Sequence, residues 1–384
     1  MRASRRSGVD PFIVMDVMEA ARAAEEAGRR VIHMEVGQPG TPAPVGSRIT
    51  VERAMKAGPL GYTVALGLPK LRARIARWYG ETYDVDLDPN RVVVTPGSSG
   101  AFLLAFTALF DTGDKVGMGD PGYPSYRQIL RALDLVPVGI QTQAEHRYQP
   151  RPEDLPDGLA GLMLASPGNP TGTMLGHDQM AALVAASAER GINLISDEIY
   201  HGLHYGERGV TALELTDDVY VINSFSKYFS MTGWRIGWMV VPEDHVRLVE
   251  RIAQNMFICP PHVSQVAALA AMDCTVELEA NRAVYAKNRA LMLEGLPKAG
   301  FTSIAPPDGA FYVYADVSDL TDDSRAFAAE ILEAAGVAVT PGLDFDPARG
   351  HRTLRFSYAA TTADIEEGLA RLAAFMDARG QTAG

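Results

Sequence analysis

The chain of 384 residues is 47% hydrophobic, enough to bury a sizeable core and to build two or three domain-sized units. Its formal net charge of -12 argues against non-specific nucleic-acid binding, and its basic clusters are short, RASRR near the start and RARIAR at 72–77. The longest apolar runs, such as GLMLASP and RIGWMVVP, fall well short of the ~20 residues a membrane helix needs.

The first segment, MRASRRSGVDPFIVMDVMEAA, is basic like a signal peptide, but its apolar stretch is short and broken by Asp10 and Asp16, which argues against export. Cys259 and Cys274 lack CxxC spacing and read as core thiols in a reducing, cytoplasmic setting. A helix over MDVMEAARAAEEAG and an extended VIHMEVGQP follow, then TPAPVG (41–46) as a crossing linker. This arm, residues 1–45, lacks the apolar surface to stand alone and is expected to join a small C-terminal domain.

From residue 46 to 284, short β-rich runs alternate with helical patterns. The expected strands are RVVVTPG (91–97), KVGMGD (115–120), LVPVGI (135–140), GLMLASP (161–167), INLISD (192–197), VYVINS (219–224) and RIGWMVV (235–241). Near-continuous apolar strands alternating with helices imply an α/β fold: a mainly parallel seven-stranded sheet flanked by helices. From about residue 243 the pattern turns helical. Residues 285–384 then read as a smaller α+β domain, with FTSIAP, GAFYVYADV, VAVTPG and TLRFSYA as extended segments and a last helix over TADIEEGLARLAAFMDAR.

In open α/β sheets, ligands bind beyond the carboxyl ends of the strands. Those ends carry TPGSS (95–99), DPGY (120–123), SPGNPT (166–171), DEIY (197–200) and SFSK (224–227). TPGSSG enters a helical run, which suits a phosphate through free backbone N–H groups and hydroxyls, although Ser99 alone could serve as a cap. NSFSKYFSMTGWRIGWMVV holds Lys227 and Arg235 with no acidic residue to pair them, which points to an anionic ligand. Asp197 closes an apolar strand, where a carboxylate is costly without a partner. His201 and His204 have no third ligand for a metal and are expected at the site's mouth or on the surface. No metal site is expected.

A phosphate cradle, an aromatic residue, a carboxylate and a lysine together describe a pyridoxal phosphate site. SPGNPTG, SDEIY, SFSKYFSMTGWRIGW and LRFSYA resemble the class I and II aminotransferases of PLP fold type I, from VGQP at residue 36 to the last helix. The resemblance implies that Lys227 holds pyridoxal 5'-phosphate covalently through an imine and moves a proton at the substrate's α-carbon, while Asp197 keeps the ring nitrogen protonated. Asn169 and Tyr200 would donate to the ring's phenolic oxygen, and Tyr123 would stack on the ring. Arg235, Ser224, Ser226, Ser98 and Ser99 would hold the phosphate. Tyr62, in GPLGYTVALGLP, would reach the phosphate of a neighbouring subunit, making the active unit a homodimer with shared sites. Arg355 would grip the substrate's α-carboxylate beside the backbone of Gly37.

The reaction so implied is transfer of an amino group between an α-amino acid and a 2-oxo acid, with 2-oxoglutarate the expected acceptor. The same scaffold hosts C–S β-lyases and related eliminating enzymes, and a PLP-sensing regulator is a further alternative. Against the regulator, fewer than 40 residues precede VGQP, too few for a DNA-binding module. Aspartate, alanine and aromatic donors stay open. Ser98 and Ser99 stand where some aspartate-selective relatives carry a lysine, and Phe12, Ile13, Val14 and Met18 could either form an apolar lid or simply pack as a helix.

Overall fold

The computed structural model describes residues 1–382. Helix α1 (Ile13–Glu26) and the two-residue strand β1 (Ile32–His33) lead into α2 (Val45–Ala57) and α3 (Pro69–Tyr83). Seven strands follow: β2 (Val92–Thr95), β3 (Lys115–Asp120), β4 (Val136–Gln141), β5 (Gly161–Ala165), β6 (Asn193–Asp197), β7 (Tyr220–Ser224) and β8 (Gly237–Val240). Helices α4 (Gly97–Leu109), α5 (Pro124–Ala132) and α6 (His177–Arg190) lie between them. The strands form one sheet in the order β2-β8-β7-β6-β5-β3-β4, with β8 antiparallel to both neighbours and the other pairs parallel. Each of the seven strand segments expected between residues 91 and 241 contributes a strand to this sheet.

Alternation along each strand explains why both faces are covered. Val92, Val94, Leu162, Leu164, Val221 and Trp238 pack into one core. Their neighbours Val93, Met163, Ile222 and Met239 point to the other face, against Phe102 and Phe106 of α4 and Leu130 of α5. Successive strand residues face opposite ways, so a strand buried on both sides must be apolar at every position. The sequence pattern therefore showed continuous runs.

Three helices, α7 (Val246–Met256), α8 (His262–Ala271) and α9 (Thr275–Lys298), precede the smaller unit. Residues 284 and 285 both fall inside α9, which runs on unbroken. Strands β9 (Ser303–Ala305) and β10 (Tyr312–Asp316), helix α10 (Ser324–Ala335), strands β11 (Val337–Ala338), β12 (Thr340–Pro341) and β13 (Thr353–Ser357), and helix α11 (Thr362–Thr382) complete the chain.

Strands β12, β13, β10 and β9 form an antiparallel sheet in that order. The segment VAVTPG, read as one strand, is two: β11 pairs with β1 of the arm and β12 pairs with β13. The arm is thus stitched to the small unit, with α1 packing Ala21 against Val31, Leu332 and Ala338. The linker also ends sooner than its sequence suggests. Pro44 takes the N-cap position, so Val45 and Gly46 already belong to α2.

Candidate active site

The carboxyl ends of β2, β6 and β7 and the loops after β3 and β5 open on one cavity of about 550 Å³, a size suited to a small organic cofactor with its substrate. Its wall includes Ser98, Ser99, Tyr123, Asn169, Asp197, Tyr200, Ser226, Lys227, Arg235, Gly37 and Arg355. Residues from Ser98 to Lys227 meet here because parallel strands deliver their C-terminal ends to the same edge, while Gly37 comes from the arm and Arg355 from β13 of the small unit. A second groove of about 630 Å³ lies beside α1 and α10, lined by alanines such as Ala23, Ala24 and Ala328 and by the carboxylates of Asp16 and Glu333, but it has no lysine or side-chain amide.

Lys227 follows β7 and is half-buried, with its Nζ donating to the carbonyl oxygen of Gly37. Burial lowers its pKa from the ordinary 10.5 to about 7, the positive charges of Arg355 and Arg235 add to the effect, and Asp197 opposes it. A substantial fraction of this amine is therefore neutral near pH 7. Gly37 reaches this position because it lacks a side chain: a Cβ there would sit 2.1 Å from Tyr312 Oη.

Asp197 ends β6 and is 3% exposed. Tyr126 Oη donates to its Oδ2, and the backbone N–H of Ile199 donates to Oδ1 at 3.1 Å. Burial outweighs these donors and the charge of Lys227, raising the pKa from 3.8 to about 6. Such a carboxylate favours a cationic hydrogen-bond donor as its next neighbour. Tyr200 Oη lies 2.8 Å from Tyr312 Oη, while Tyr123 stands edge-on to Tyr126 at 5.3 Å.

The corner suited to an anion is the first turn of α4, whose leading N–H groups have no partner within the helix. Gly97 precedes Ser98 at φ +74°, and a Cβ on it would lie 2.6 Å from Arg235 Nη2. Absence of a side chain lets the guanidinium sit over the helix start. Arg355, 2% exposed, lies on the opposite wall, with Nη1 3.0 Å from Asn169 Oδ1 and Nη2 donating to Glu35 O and, at 3.2 Å, to Thr340 Oγ1. Tyr312 and Phe345 stack on its plane at 4.5 and 4.8 Å. Its buried Nε–H has no acceptor among the described residues, an unmet need that an anion would fill.

Several expectations are displaced. Ser224 is buried behind the cavity, its Oγ 2.9 Å from Ser226 Oγ and 3.1 Å from Ile236 O, and it accepts from the Ser226 N–H at 3.1 Å. It braces the turn, while Ser226 reaches the wall. Tyr62 is not among these displaced residues: it is 83% exposed and off the wall of its own chain's cavity, as a residue expected to reach a neighbouring subunit would be.

His201 is not at the mouth. It is 2% exposed, with Nε2 3.0 Å from Ser166 O and Nδ1 2.6 Å from Tyr83 Oη. A carbonyl only accepts, so Nε2 carries the proton and Nδ1 accepts from Tyr83; burial pushes the pKa down to about 3. Cys259 and Cys274 are half-buried rather than core. Sequence reasoning overlooked Tyr126 and Tyr312 and named Ile13 where Met15 joins Phe12, Val14 and Met18 at the wall. Ile13 faces the neighbouring groove instead. The three-residue spacing of Tyr123 and Tyr126 at a helix start was the available signal for the first.

These groups fit pyridoxal phosphate: an anion corner at α4, a buried carboxylate for a pyridinium N–H, amide and phenol donors, and an amine of lowered pKa. The chain matches the family described as aminotransferase class I and II over residues 31–372. It is 45% identical over 382 residues to the valine–pyruvate aminotransferase of Mycobacterium tuberculosis, covering 98% of each chain. A crystal structure of an aminotransferase from that organism superposes with a TM-score of 0.96 at 45% identity, over 98% of this chain and 100% of the other. The Thermus thermophilus aspartate aminotransferase with maleate gives 0.91 at 31% identity, over 98% and 100%. With its fold, its site and its relatives in agreement, the chain belongs to the class I and II aminotransferases and is a pyridoxal-phosphate-dependent enzyme.

Proposed function

We propose that this aminotransferase takes a neutral, apolar α-amino acid of valine or alanine type as donor and a small 2-oxo acid such as pyruvate as acceptor. The observation that carries this reading is the cavity wall. Phe12, Val14, Met15 and Met18 line one side, and the cations of the lining residues are Lys227, Arg235 and Arg355. Each has a task at the cofactor or the α-carboxylate, which leaves none in this chain's wall for an acidic side chain. The 45% identical relative named valine–pyruvate aminotransferase supports the same reading. 2-Oxoglutarate would set its second carboxylate against apolar groups, at an uncompensated desolvation cost. The eliminating alternative has no support among the named relatives.

Pyridoxal phosphate, when bound, supplies a carbonyl that takes and returns the amino group and a ring that withdraws electrons from the substrate's α-carbon. Asp197, fixed by Tyr126 and the Ile199 N–H, holds the proton on the ring nitrogen. Lys227 would anchor the cofactor and would carry the proton to and from the α-carbon; its lowered pKa suits a base working near neutrality. Asn169 and Tyr200 would donate to the phenolic oxygen, and Tyr123 would cover the ring. Arg235, Ser98, Ser99 and Ser226 would hold the phosphate, with Ser224 bracing Ser226. Arg355 orients the substrate by its α-carboxylate, beside Gly37.

The active unit in this reading is a homodimer in which Tyr62 reaches the partner's phosphate. Supporting it, Tyr62 and Val64 are exposed close to exposed Ile258, and Val45, Ile49 and Met55 are exposed on α2. Exposed apolar residues clustered like Tyr62, Val64 and Ile258 mark a docking face. We also propose a division into the arm (1–45), a large cofactor-binding domain (46–284) and a small domain (285–384), with α9 as the rod joining the last two. The cytoplasm is the proposed location: neither cysteine is in a disulfide, and no described helix is long and apolar enough to cross a membrane.

A donor panel of valine, alanine, aspartate and phenylalanine, each against pyruvate and 2-oxoglutarate and scored by kcat/KM, tests the reading. Valine or alanine with pyruvate should lead. Leadership by aspartate, or release of ammonia, would overturn it.

A further inference from the structure

The wall of Phe12, Val14, Met15 and Met18 belongs to α1 and the residue before it, yet α1 does not cap itself. Its N-cap position is Phe12, whose backbone carbonyl accepts from Met15 N at 2.9 Å but whose side chain has no oxygen for the amides of Ile13 and Val14. The cap comes from the far end of the chain. Asp344 accepts from Ile13 N through Oδ1 and from Val14 N through Oδ2, each at 2.9 Å. It is 6% exposed and lies in the loop directly after β12.

That loop is tied to the carboxylate grip. Thr340 in β12 is the register partner of Arg355 in β13, its Oγ1 accepts from Arg355 Nη2 at 3.2 Å, and it donates to Glu35 O at 2.8 Å. Phe345, the residue after Asp344, stacks on the Arg355 guanidinium at 4.8 Å. The other end of the arm is held separately. Asp10 pairs with Arg131 at 2.5 Å and exchanges two hydrogen bonds of 3.1 Å with Gln128, both on α5, and Phe12 stands edge-on to Tyr123 at 6.0 Å.

We propose that Asp344 is a positioning residue for donor selection: by capping α1 it fixes the apolar wall at a set distance from Arg355 and so sets which side chains fit. A substrate gripped by its α-carboxylate has one end defined by Arg355 and its side chain directed to whatever wall stands opposite. One short loop sets both. Burial raises the pKa of Asp344, against which the N–H donors of Ile13 and Val14 and the charge of Arg355 favour the carboxylate, while Asp16 on the first turn opposes it; an anion at a helix N-terminus also interacts favourably with the helix dipole. An isolated helix of 14 residues is marginal in water, so loss of an external cap loosens its first turn, where Val14 and Met15 sit.

This inference rests on the apolar-donor reading. The test compares wild type, Asp344→Asn and Asp344→Ala as holoenzymes, after checking that cofactor content and near-ultraviolet dichroism match. Two quantities are read: the ratio of kcat/KM for valine over alanine, and hydrogen exchange of the peptide spanning residues 10–18. The alanine variant should lower the ratio by about fivefold to tenfold, the scale set by a lost helix cap, with faster arm exchange. The asparagine variant, which keeps one acceptor oxygen, should fall between and carries the test alone if the alanine variant does not fold.

An unchanged ratio, or equal loss for both donors, would overturn the proposal by leaving Asp344 a purely structural cap. Failure of the donor reading looks different, because wild type itself would then prefer aspartate. The proposal would in that case be judged by the ratio of aspartate to alanine in the same variants.

Discussion

Arg355 Nη1 donates to the amide oxygen of Asn169 across 3.0 Å, joining β13 of the small unit to the turn after β5. A guanidinium has no acceptor, so Asn169 must present its oxygen there and keeps its amide protons for a partner in the cavity. In the proposed reading, this one contact orients both the carboxylate grip and a donor to the cofactor's ring oxygen. Arg355→Lys keeps the charge but loses the fork, and kcat/KM for the amino-acid donor should fall about 100-fold, mostly through KM. Steady-state kinetics showing less than about a threefold loss would place the grip elsewhere.

Tyr126 is the direct partner of Asp197, so Tyr126→Phe removes a donor to the charged carboxylate while leaving the ring in place. That donor lowers a pKa which burial has raised to about 6; without it, the pKa climbs further. The acid limb of the kcat/KM profile should then move to higher pH by about one unit. A profile that does not move would mean that Tyr126 contributes only packing.

The site's outline was legible in the sequence because its chemistry is carried by short turns after strands, where Gly, Ser, Pro and Asn have local reasons to be. SPGNPT, DEIY and SFSK each hold their roles within a few residues. What stayed hidden is non-local. The Asp344 cap on α1 links residues 330 and 331 positions apart, and no local pattern announces it. His201 follows DEIY but is turned behind the sheet, where Tyr83 of α3 accommodates it. Ser224 and Ser226 look alike in sequence, yet the turn buries one and presents the other. VAVTPG changes sheets at its middle because β1, from the opposite end of the chain, offers the first half its own edge.

His33 gives a stability signature at alkaline pH. Its Nδ1 lies 2.8 Å from buried Glu35 Oε1 and its Nε2 3.2 Å from Glu25 Oε1. The Glu35 hydrogen bond chiefly raises its pKa, from 6.5 to about 9. A pKa raised in the folded state gives stabilisation that is complete below 6.5 and is lost as pH rises through about 9. Wild type should therefore lose more Tm between pH 7 and 9.5 than His33→Gln does. Parallel Tm curves would show that the pair contributes nothing.

Tyr62 offers a test of the shared site. Chains carrying Tyr62→Ala and Lys227→Ala, mixed at random, would rebuild one complete site in each hybrid dimer, or about a quarter of wild-type sites. At limiting cofactor, the mixture should regain that share of activity above either variant alone. No gain on mixing would mean that each chain completes its own site.

The most direct measurement concerns Lys227. Wild type reduced with borohydride in the presence of pyridoxal phosphate should carry the cofactor's mass on the tryptic peptide containing Lys227. Lys227→Ala should show no such adduct and no turnover, with its fold and thermal transition retained. Turnover in that variant, or reduction of the cofactor onto a different lysine of the wild type, would contradict the account.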